Sequence, residues 1–415
     1  MRPVEDRLRR VSFFEAMAVA LGLEVIAHNP ARTRAWGRCG LLVNQASVDR
    51  TITPSQLVLK KALRGRLAVL FSPQHGLFAD KQDNMVESGH GRDVLSGLPY
   101  FSLYSDVREP RDDMLEGLDT VIVDIQDVGT RVYTFVYTMA GIMRRCARLG
   151  KKVVVLDRPN PIGGTRVEGN VLEADSRSFV GEYPLPMRHG MTIGELALWI
   201  NGQESMPVEL EVVRMRGWKR SMHWHDTGRA WIMTSPNMPT PETAEVYPGM
   251  VLLEGTNLSE GRGTTMPFLT IGAPYIHDVK EWLNTLRELC NLSGLAIRPA
   301  LFEPTFHKFA GQTCRGIQWI VLHPSRICAY QLGLGVLLAT MHVTPDAFRY
   351  KDPPYEYETI RPPIQLLLGS AALARRLETI AHKTLTRKTL PDLESEWEEG
   401  RRAFLRQRKE CLLYS

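Results

Sequence analysis

With 415 residues, 44% of them hydrophobic and 23% charged, the chain has the composition of an ordinary soluble globular protein and the length of two domains rather than one. Its net charge of +5 is spread along the chain and is densest near the C-terminus. That argues against a dedicated nucleic-acid surface and is compatible with a small acidic ligand.

The six cysteines, Cys39, Cys146, Cys290, Cys314, Cys328 and Cys411, are widely spaced and form no CxxC pair. They imply neither a disulfide framework nor a zinc knuckle, and Cys146 reads as a reduced core thiol. The N-terminus places basic residues before FFEAMAVALGLEVIA. Glu15 and Glu24 interrupt that run and no small-residue cleavage site follows cleanly, so an amphipathic helix is expected rather than a signal peptide. No run of ~18 consecutive apolar residues occurs, so no membrane span is expected, and the expected location is the cytoplasm.

From residue 40 the pattern alternates between strands and helices. Gly40 to Asn44 predicts a buried strand ending in Asn44 and Gln45, and residues 54 to 64 predict a helix with Pro54 near its first turn. Leu67 to Phe71 predicts a second strand, which runs out into SPQHGLFADKQDNMVESGHGRD. Polar loops of this length in a compact domain are usually functional or disordered. A strand over 100–104 and a short helix over 110–117 follow. Val121–Ile125 and Val153–Leu156 are then β-branched runs flanking a helix, with Tyr133, Val136, Tyr137, Ala140, Met143 and Ala147 at helical spacing and Gly150 as its stop. Near-continuous apolar strands belong to a parallel sheet covered on both faces. The expected fold is therefore α/β, a Rossmann-like doubly wound parallel sheet.

In such sheets ligands bind outside the carboxyl ends of the strands. Asp124, Gln126 and Asp127 fall at that end of one strand, and Asp157, Arg158 and Asn160 at that of the other. Further on, Thr192 to Ile200 predicts a helix with Thr192 as N-cap and Glu195 completing a capping box, and Val208 to Met215 predicts a strand. A stretch rich in Trp, Pro and Thr then suggests a boundary near residue 232, dividing the chain into 1–232 and 233–415. The second part reads as a smaller α+β domain. A strand is expected over Gly249–Glu254 and another over Gly316–Leu322, with helices over Asp278–Leu289 and Tyr330–Thr340. A charged helical segment is expected over 370–410.

Dinucleotide, P-loop, GxSxG and HExxH motifs are absent from the sequence. His223, His225 and Asp226 (HWHD) would share a face if they lay on a strand and could then ligate a metal. The same residues also read as a polar surface strand, and no metal or other cofactor is expected. The long loop carries His75, Asp80, Asp83, Glu87 and His90. Either it brings a carboxyl group to a substrate, as glycoside hydrolysis requires, or it is a solvated charged loop.

A series of ordered motifs completes the reading. SPQHGLFADKQDNMVES, VDIQDVGTRVYT, VVLDRPNPIGG, FVGEYPLPMRHGMTIGELA, SPNMPT and YPGMVLLEGTNLSEGRGTTMPF resemble the NamZ-type exo-β-N-acetylmuramidases, in register over residues 38 to 350. The resemblance implies a Rossmann-like domain holding the active site and removal of N-acetylmuramic acid (MurNAc) from the non-reducing end of peptidoglycan fragments. By motif, Glu87 is the implied catalytic acid and His75 opens its stretch, orienting a catalytic carboxyl. Asp124 or Asp127 would stabilise the oxocarbenium-like state. Gln126, Arg131, Tyr133, Asp157, Arg158, Asn160, His189, Asn237, Glu254, Asn257, Glu260 and Arg262 match the remaining motifs and, with Asn44 and Gln45, are the expected substrate ligands. The sequence departs from the commoner family pattern in a slightly longer loop before Glu87 and in Gln74, where many members have glutamate. His223 and His225 also stand where the family more often has other residues.

MurNAc carries a lactyl carboxylate, which calls for a guanidinium fork. Arg131, Arg158 and Arg262 are the candidates, each equally able to pair with a nearby carboxylate instead. The expected partner is thus a small saccharide, with no nucleic acid involved. The competing readings are a non-catalytic muropeptide-binding or sensing protein and a metal-dependent hydrolase built on His223 and His225.

Overall fold

The structure, a computed structural model, describes residues 19–81 and 87–415. Most of the expected N-terminal amphipathic helix lies outside them; its end is helix α1, Gly22–His28. The strands β1 (Cys39–Val43), β2 (Leu67–Ser72), β3 (Gly91–Arg92), β4 (Pro99–Ser102), β5 (Thr120–Asp124), β6 (Lys152–Leu156) and β9 (Leu210–Val213) form one sheet in the order β3-β4-β2-β1-β5-β6-β9. Every pairing in it is parallel except β3 with β4; β7 (Glu168–Val171) and β8 (Pro186–Arg188) pair separately as an antiparallel ribbon.

Alternation along the strands builds two cores. Leu42, Phe71, Val121, Val123, Val153 and Val155 share one cluster with helices α3 (Phe135–Arg148) and α4 (Ile193–Asn201). Leu41, Val43, Leu70, Ile122, Val154 and Leu156 share the other with α1 and α2 (Ser55–Ala62). Both faces being covered, the strands carry no polar stripe, which is why they read as continuous apolar runs. The loop before α4 has the expected box: Thr192 accepts from the Glu195 amide and Glu195 from the Thr192 amide. Gly150, at φ 63°, ends α3 in the left-handed region.

The second part is an antiparallel sheet of β10 (Thr270–Ala273), β12 (Cys314–Val321) and β11 (Leu295–Phe302) in that order, packed with helices α6 (Val279–Leu289) and α7 (Ala329–Val343). Between the two parts lies α5, Pro241–Met250. It crosses α7 so closely that a Cβ on Gly249 would sit 1.8 Å from the Ala329 carbonyl oxygen.

Several expected elements are corrected. Gly249–Glu254 is not a strand: it is the end of α5 and a 3-10 turn over Val251–Gly255. Thr240 caps α5 and Pro241 opens it, so the apolar run continues a helix, and a short apolar run alone cannot distinguish the two. The HWHD segment is likewise a 3-10 helix, Trp224–Thr227, because Asp226 folds back to accept the His223 amide at 2.9 Å. The helix expected over 110–117 is reduced to Asp113–Leu115. Residues 363–409 form four short helices, among them Pro363–Leu368 and Glu398–Lys409. Among the described residues no helix is long and apolar enough to cross a membrane.

The two parts are tied at several buried points. Arg131 donates to the carbonyls of Asn170, Leu185 and, at 2.7 Å, Leu367. Arg408 donates to those of Gly164, His189 and Gly190. At the carboxyl end of β6 Asp157 accepts from the Gly194 amide at 2.8 Å, from Thr192 Oγ1 at 2.9 Å and from the Tyr414 hydroxyl at 2.5 Å.

Burial pushes the Asp157 carboxyl up to about 7 in spite of those donors. Because this value lies above the unfolded one of about 3.9, the native state holds the proton more tightly between the two. The stability Asp157 contributes is therefore full below the unfolded value and is lost as pH rises toward about 7. Asp157→Asn should gain stability relative to wild type between about pH 5 and about pH 7. Urea midpoints at both values check this, and a constant difference between the two proteins would refute it.

Candidate active site

A narrow cleft opens beyond the carboxyl ends of β2 and β5, next to β1, from which the sheet runs out in both directions. This is where doubly wound sheets bind ligands. Gln74 and His75 follow β2, Tyr133 and Thr134 precede α3, and Ser235 and Asn237 precede α5; all line the cleft. Arg262, Tyr355 and Glu356 close it from the second part of the chain.

One wall holds a buried carboxyl. Glu356 Oε1 accepts from Gln74 Nε2 at 3.1 Å and Oε2 from the Tyr104 hydroxyl at 2.9 Å, while Gln74 Oε1 accepts from Thr134 Oγ1 at 2.6 Å. Burial pushes the Glu356 carboxyl up to about 7, and the donors from Tyr104 and Gln74 offset only part of that rise. The turn that presents it is a two-residue reversal: Tyr355 and Glu358 exchange backbone hydrogen bonds at 2.9 and 3.0 Å, and Glu356 and Tyr357 between them have φ of 46° and 68°. Asn-Gly suits such a turn, and left-handed backbone costs other residues roughly 1–2 kcal/mol each. Glu and Tyr are held there by what their side chains meet: Arg108 stacks on both Tyr104 and Tyr357, 4.8 and 3.9 Å from the ring centres.

A charge network reaches the cleft through Arg262. Arg262 Nη2 donates to Glu254 at 2.7 Å and Nε lies 3.5 Å from Glu260. Lys308 donates to Glu260 at 2.7 Å, and His307 stands 3.3 Å from it. Despite full burial, Lys308, His307 and Arg262 together hold the Glu260 carboxyl well below the usual range. The Tyr355 hydroxyl donates to Glu254 at 2.7 Å. Arg262 Nη1 is buried and has no hydrogen-bond partner among the described residues.

The expected site residues separate into three groups. His75, Tyr133, Asn237 and Arg262 line the cleft, and Glu254 and Glu260 support Arg262 from behind. Tyr133 lies before α3 rather than within it; its hydroxyl donates to Thr234 at 2.6 Å and its ring meets Phe135 and Tyr247 edge-on. His75, at φ 71°, is held by the Lys81 carbonyl at 2.8 Å from Nδ1.

A second group lies beneath the strand ends. Asp127 accepts from the Gly129 amide at 2.6 Å and faces His189 at 3.5 Å. Asp127 Oδ1, Gln126 Oε1 and His189 Nε2 have no hydrogen-bond partner among the described residues. Gln126 and Arg158 face a separate recess rather than the cleft.

The third group is committed to the fold. Arg158 grips Asp124 through Nε at 2.5 Å and Nη2 at 2.8 Å. Arg131 staples the two parts and Asp157 anchors Tyr414. Asn160 bonds the backbone of Met191 and Ile162, and Asn257 that of Ala347 and Arg349. Asn44 and Gln45 donate to the carbonyls of Thr234 and Met233. Glu87, the implied acid, stands on the outer rim, 55% exposed and 3.5 Å from Arg108, beyond the residues that line the cleft. Asp83, also in that loop, lies outside the described residues. His223 and His225 diverge, to Glu245 at 2.6 Å and Glu242 at 2.8 Å. Among the described residues no three His, Cys, Asp or Glu gather as metal ligands do.

Comparison with known proteins fits this geometry. The family model "Exo-beta-N-acetylmuramidase NamZ, N-terminal" matches residues 39–242, and "Exo-beta-N-acetylmuramidase NamZ, C-terminal" matches residues 245–414. The chain belongs to the exo-β-N-acetylmuramidase NamZ family. Within the NamZ family it is 42% identical over 334 residues, 80% of each chain, to the peptidoglycan β-N-acetylmuramidase NamZ of Bacillus subtilis. Two crystal structures of DUF1343 family proteins from Bacteroides fragilis share the fold. One superposes with a TM-score of 0.84 at 30% identity, covering 96% of this chain and all of that one. The other has a TM-score of 0.70 at 27% identity and covers 96% of this chain and 99% of that one. The Rossmann-like reading of the first part and the NamZ resemblance are thus both correct.

Sequence reasoning missed Glu356, Tyr355, Tyr104 and Arg108. The one local signal was the cluster Tyr355-Glu356-Tyr357 behind two prolines, an acidic residue between aromatics in a segment otherwise read as connector.

Proposed function

We propose that this chain is an exo-acting glycosidase that releases MurNAc from the non-reducing end of peptidoglycan fragments. The observation that carries the reading is one cleft lined by both a buried carboxyl and a buried guanidinium with an open donor. Glycosidic cleavage needs a proton for the departing oxygen, and MurNAc brings a carboxylate that its neighbour sugar lacks. Of the three candidate arginines, Arg131 and Arg158 are spent on the fold, and Arg262 lines the cleft. We assign Arg262 Nη1 to the lactyl carboxylate. We place the reaction in the cytoplasm, as recycling of fragments, on the strength of six free thiols that an oxidising compartment would put at risk.

The test is release of MurNAc from a chromogenic MurNAc β-glycoside and from MurNAc-GlcNAc, with chelator present. Turnover of both, insensitive to chelator, is the expected result. MurNAc binding without turnover would overturn the reading in favour of a sensing protein, and turnover abolished by chelator would overturn it in favour of a metal-dependent hydrolase.

A further inference from the structure

We propose that Glu356 is the catalytic acid, the carboxyl that protonates the departing glycosidic oxygen, with Gln74 and Tyr104 as its positioning residues. This rests on the glycosidase reading above. Three observations converge on it. Glu356 lines the cleft and is buried, so its acidic form is favoured by the desolvation that a carboxylate would suffer there. Its backbone is held left-handed in a turn where Glu is a poor fit, a cost that persists only where surroundings fix it and that clusters at working sites. Both its oxygens are met by donors, Gln74 Nε2 and the Tyr104 hydroxyl. Those donors stabilise the carboxylate that remains once the proton has gone, which is the charge that develops during bond cleavage.

The substitution at residue 74 gains a meaning here. A glutamate at that position would set a second carboxyl about 3 Å from Glu356 and the two would share a proton. Gln74 offers an amide donor instead, which leaves Glu356 the sole titrating partner at that contact. The other charged or titratable groups acting on Glu356 are Glu254, which raises its proton affinity, and Arg262, which lowers it. The Tyr104, Tyr355 and Tyr357 rings surround it, and Arg108 caps Tyr104 and Tyr357 on the outside.

In the step itself the proton passes from Glu356 to the glycosidic oxygen. The bond from that oxygen to C1 of MurNAc breaks with its electron pair going to oxygen, and the remainder of the fragment leaves as an alcohol. Water supplies the oxygen that C1 takes up, and its second proton restores the acid. Net, one water is consumed per sugar released.

Glu356→Gln separates this role from a structural one through leaving-group dependence. On MurNAc-GlcNAc, whose leaving group is an alkoxide unless protonated, turnover should fall by about 10²–10⁴-fold. On a nitrophenyl MurNAc β-glycoside, whose phenolate leaves without a proton, the loss should stay within about tenfold. The fall of kcat/KM with rising pH near neutrality should disappear in the variant. Equal losses on both substrates, or no loss on either, would overturn the proposal while leaving the glycosidase reading intact. Wild type inactive on both would overturn that reading itself. Tyr104→Phe provides a second arm should Glu356→Gln fail to fold. Loss of its donor raises the proton affinity of Glu356, so the alkaline limb should move to higher pH, and an unmoved limb would refute the assignment.

Discussion

Arg262→Gln is expected to lower kcat/KM for MurNAc β-glycosides by about 10²–10³-fold, the cost of removing one side of a buried, hydrogen-bonded charge pair. The corresponding β-GlcNAc glycoside, which has no lactyl carboxylate to lose, should change far less. The argument is geometric. Arg262 spends Nη2 on Glu254 and Nε on Glu260, so its plane is fixed before substrate arrives and little rotamer entropy remains to be lost on binding. Its Nη1 is the donor left over. Arg262→Lys should recover only part of the loss, because an ammonium cannot serve both glutamates and the ligand through one rigid fork. Measuring both glycosides with all three proteins decides the point. A MurNAc-to-GlcNAc preference that survives in Arg262→Gln would show that the lactyl group is read elsewhere.

The second large effect concerns stability. Asp124 and Arg158 are both almost wholly buried and paired through two hydrogen bonds, and Ser55 also donates to Asp124. Arg158→Met should destabilise the fold by about 3–5 kcal/mol, since Asp124 would be left buried without its counter-charge. Adding Asp124→Leu should return much of that loss, because an apolar pair of similar volume carries no desolvation penalty. A double-mutant cycle of urea midpoints measures the coupling. If the double variant were as unstable as the sum of the singles, the pair would not be the source of the effect.

These two arginines show how far the sequence could be read. Both sit beside acidic residues in family motifs, and nothing in residue type or spacing separates them. What separates them is where the fold carries each: Arg262 comes onto the cleft from the second part of the chain, and Arg158 is drawn to Asp124. Asp124 alternates with Val123 and so points, like Ile122, toward the side covered by α1 and α2, away from the cleft. The strands themselves were legible because burial on both faces makes them uniformly apolar over several residues. The capping box of α4 was legible because its chemistry is local. Glu356 was not legible: its burial comes from Tyr104 and Gln74, over 250 residues earlier in the chain, and its turn lacks the Asn-Gly pair that announces such reversals. Gly249–Glu254 misled for a related reason, an apolar run whose cap and proline stand upstream of it.

The buried ties between the two parts also bear on how the molecule melts. Arg131 reaches forward to Leu367, while Arg408 and Tyr414 reach back to Gly164 and Asp157. Neither part can unfold without stripping partners from buried polar groups in the other. Calorimetry should therefore record one cooperative endotherm rather than two, and a fragment holding the parallel sheet alone should bind dye as a loosened globule does.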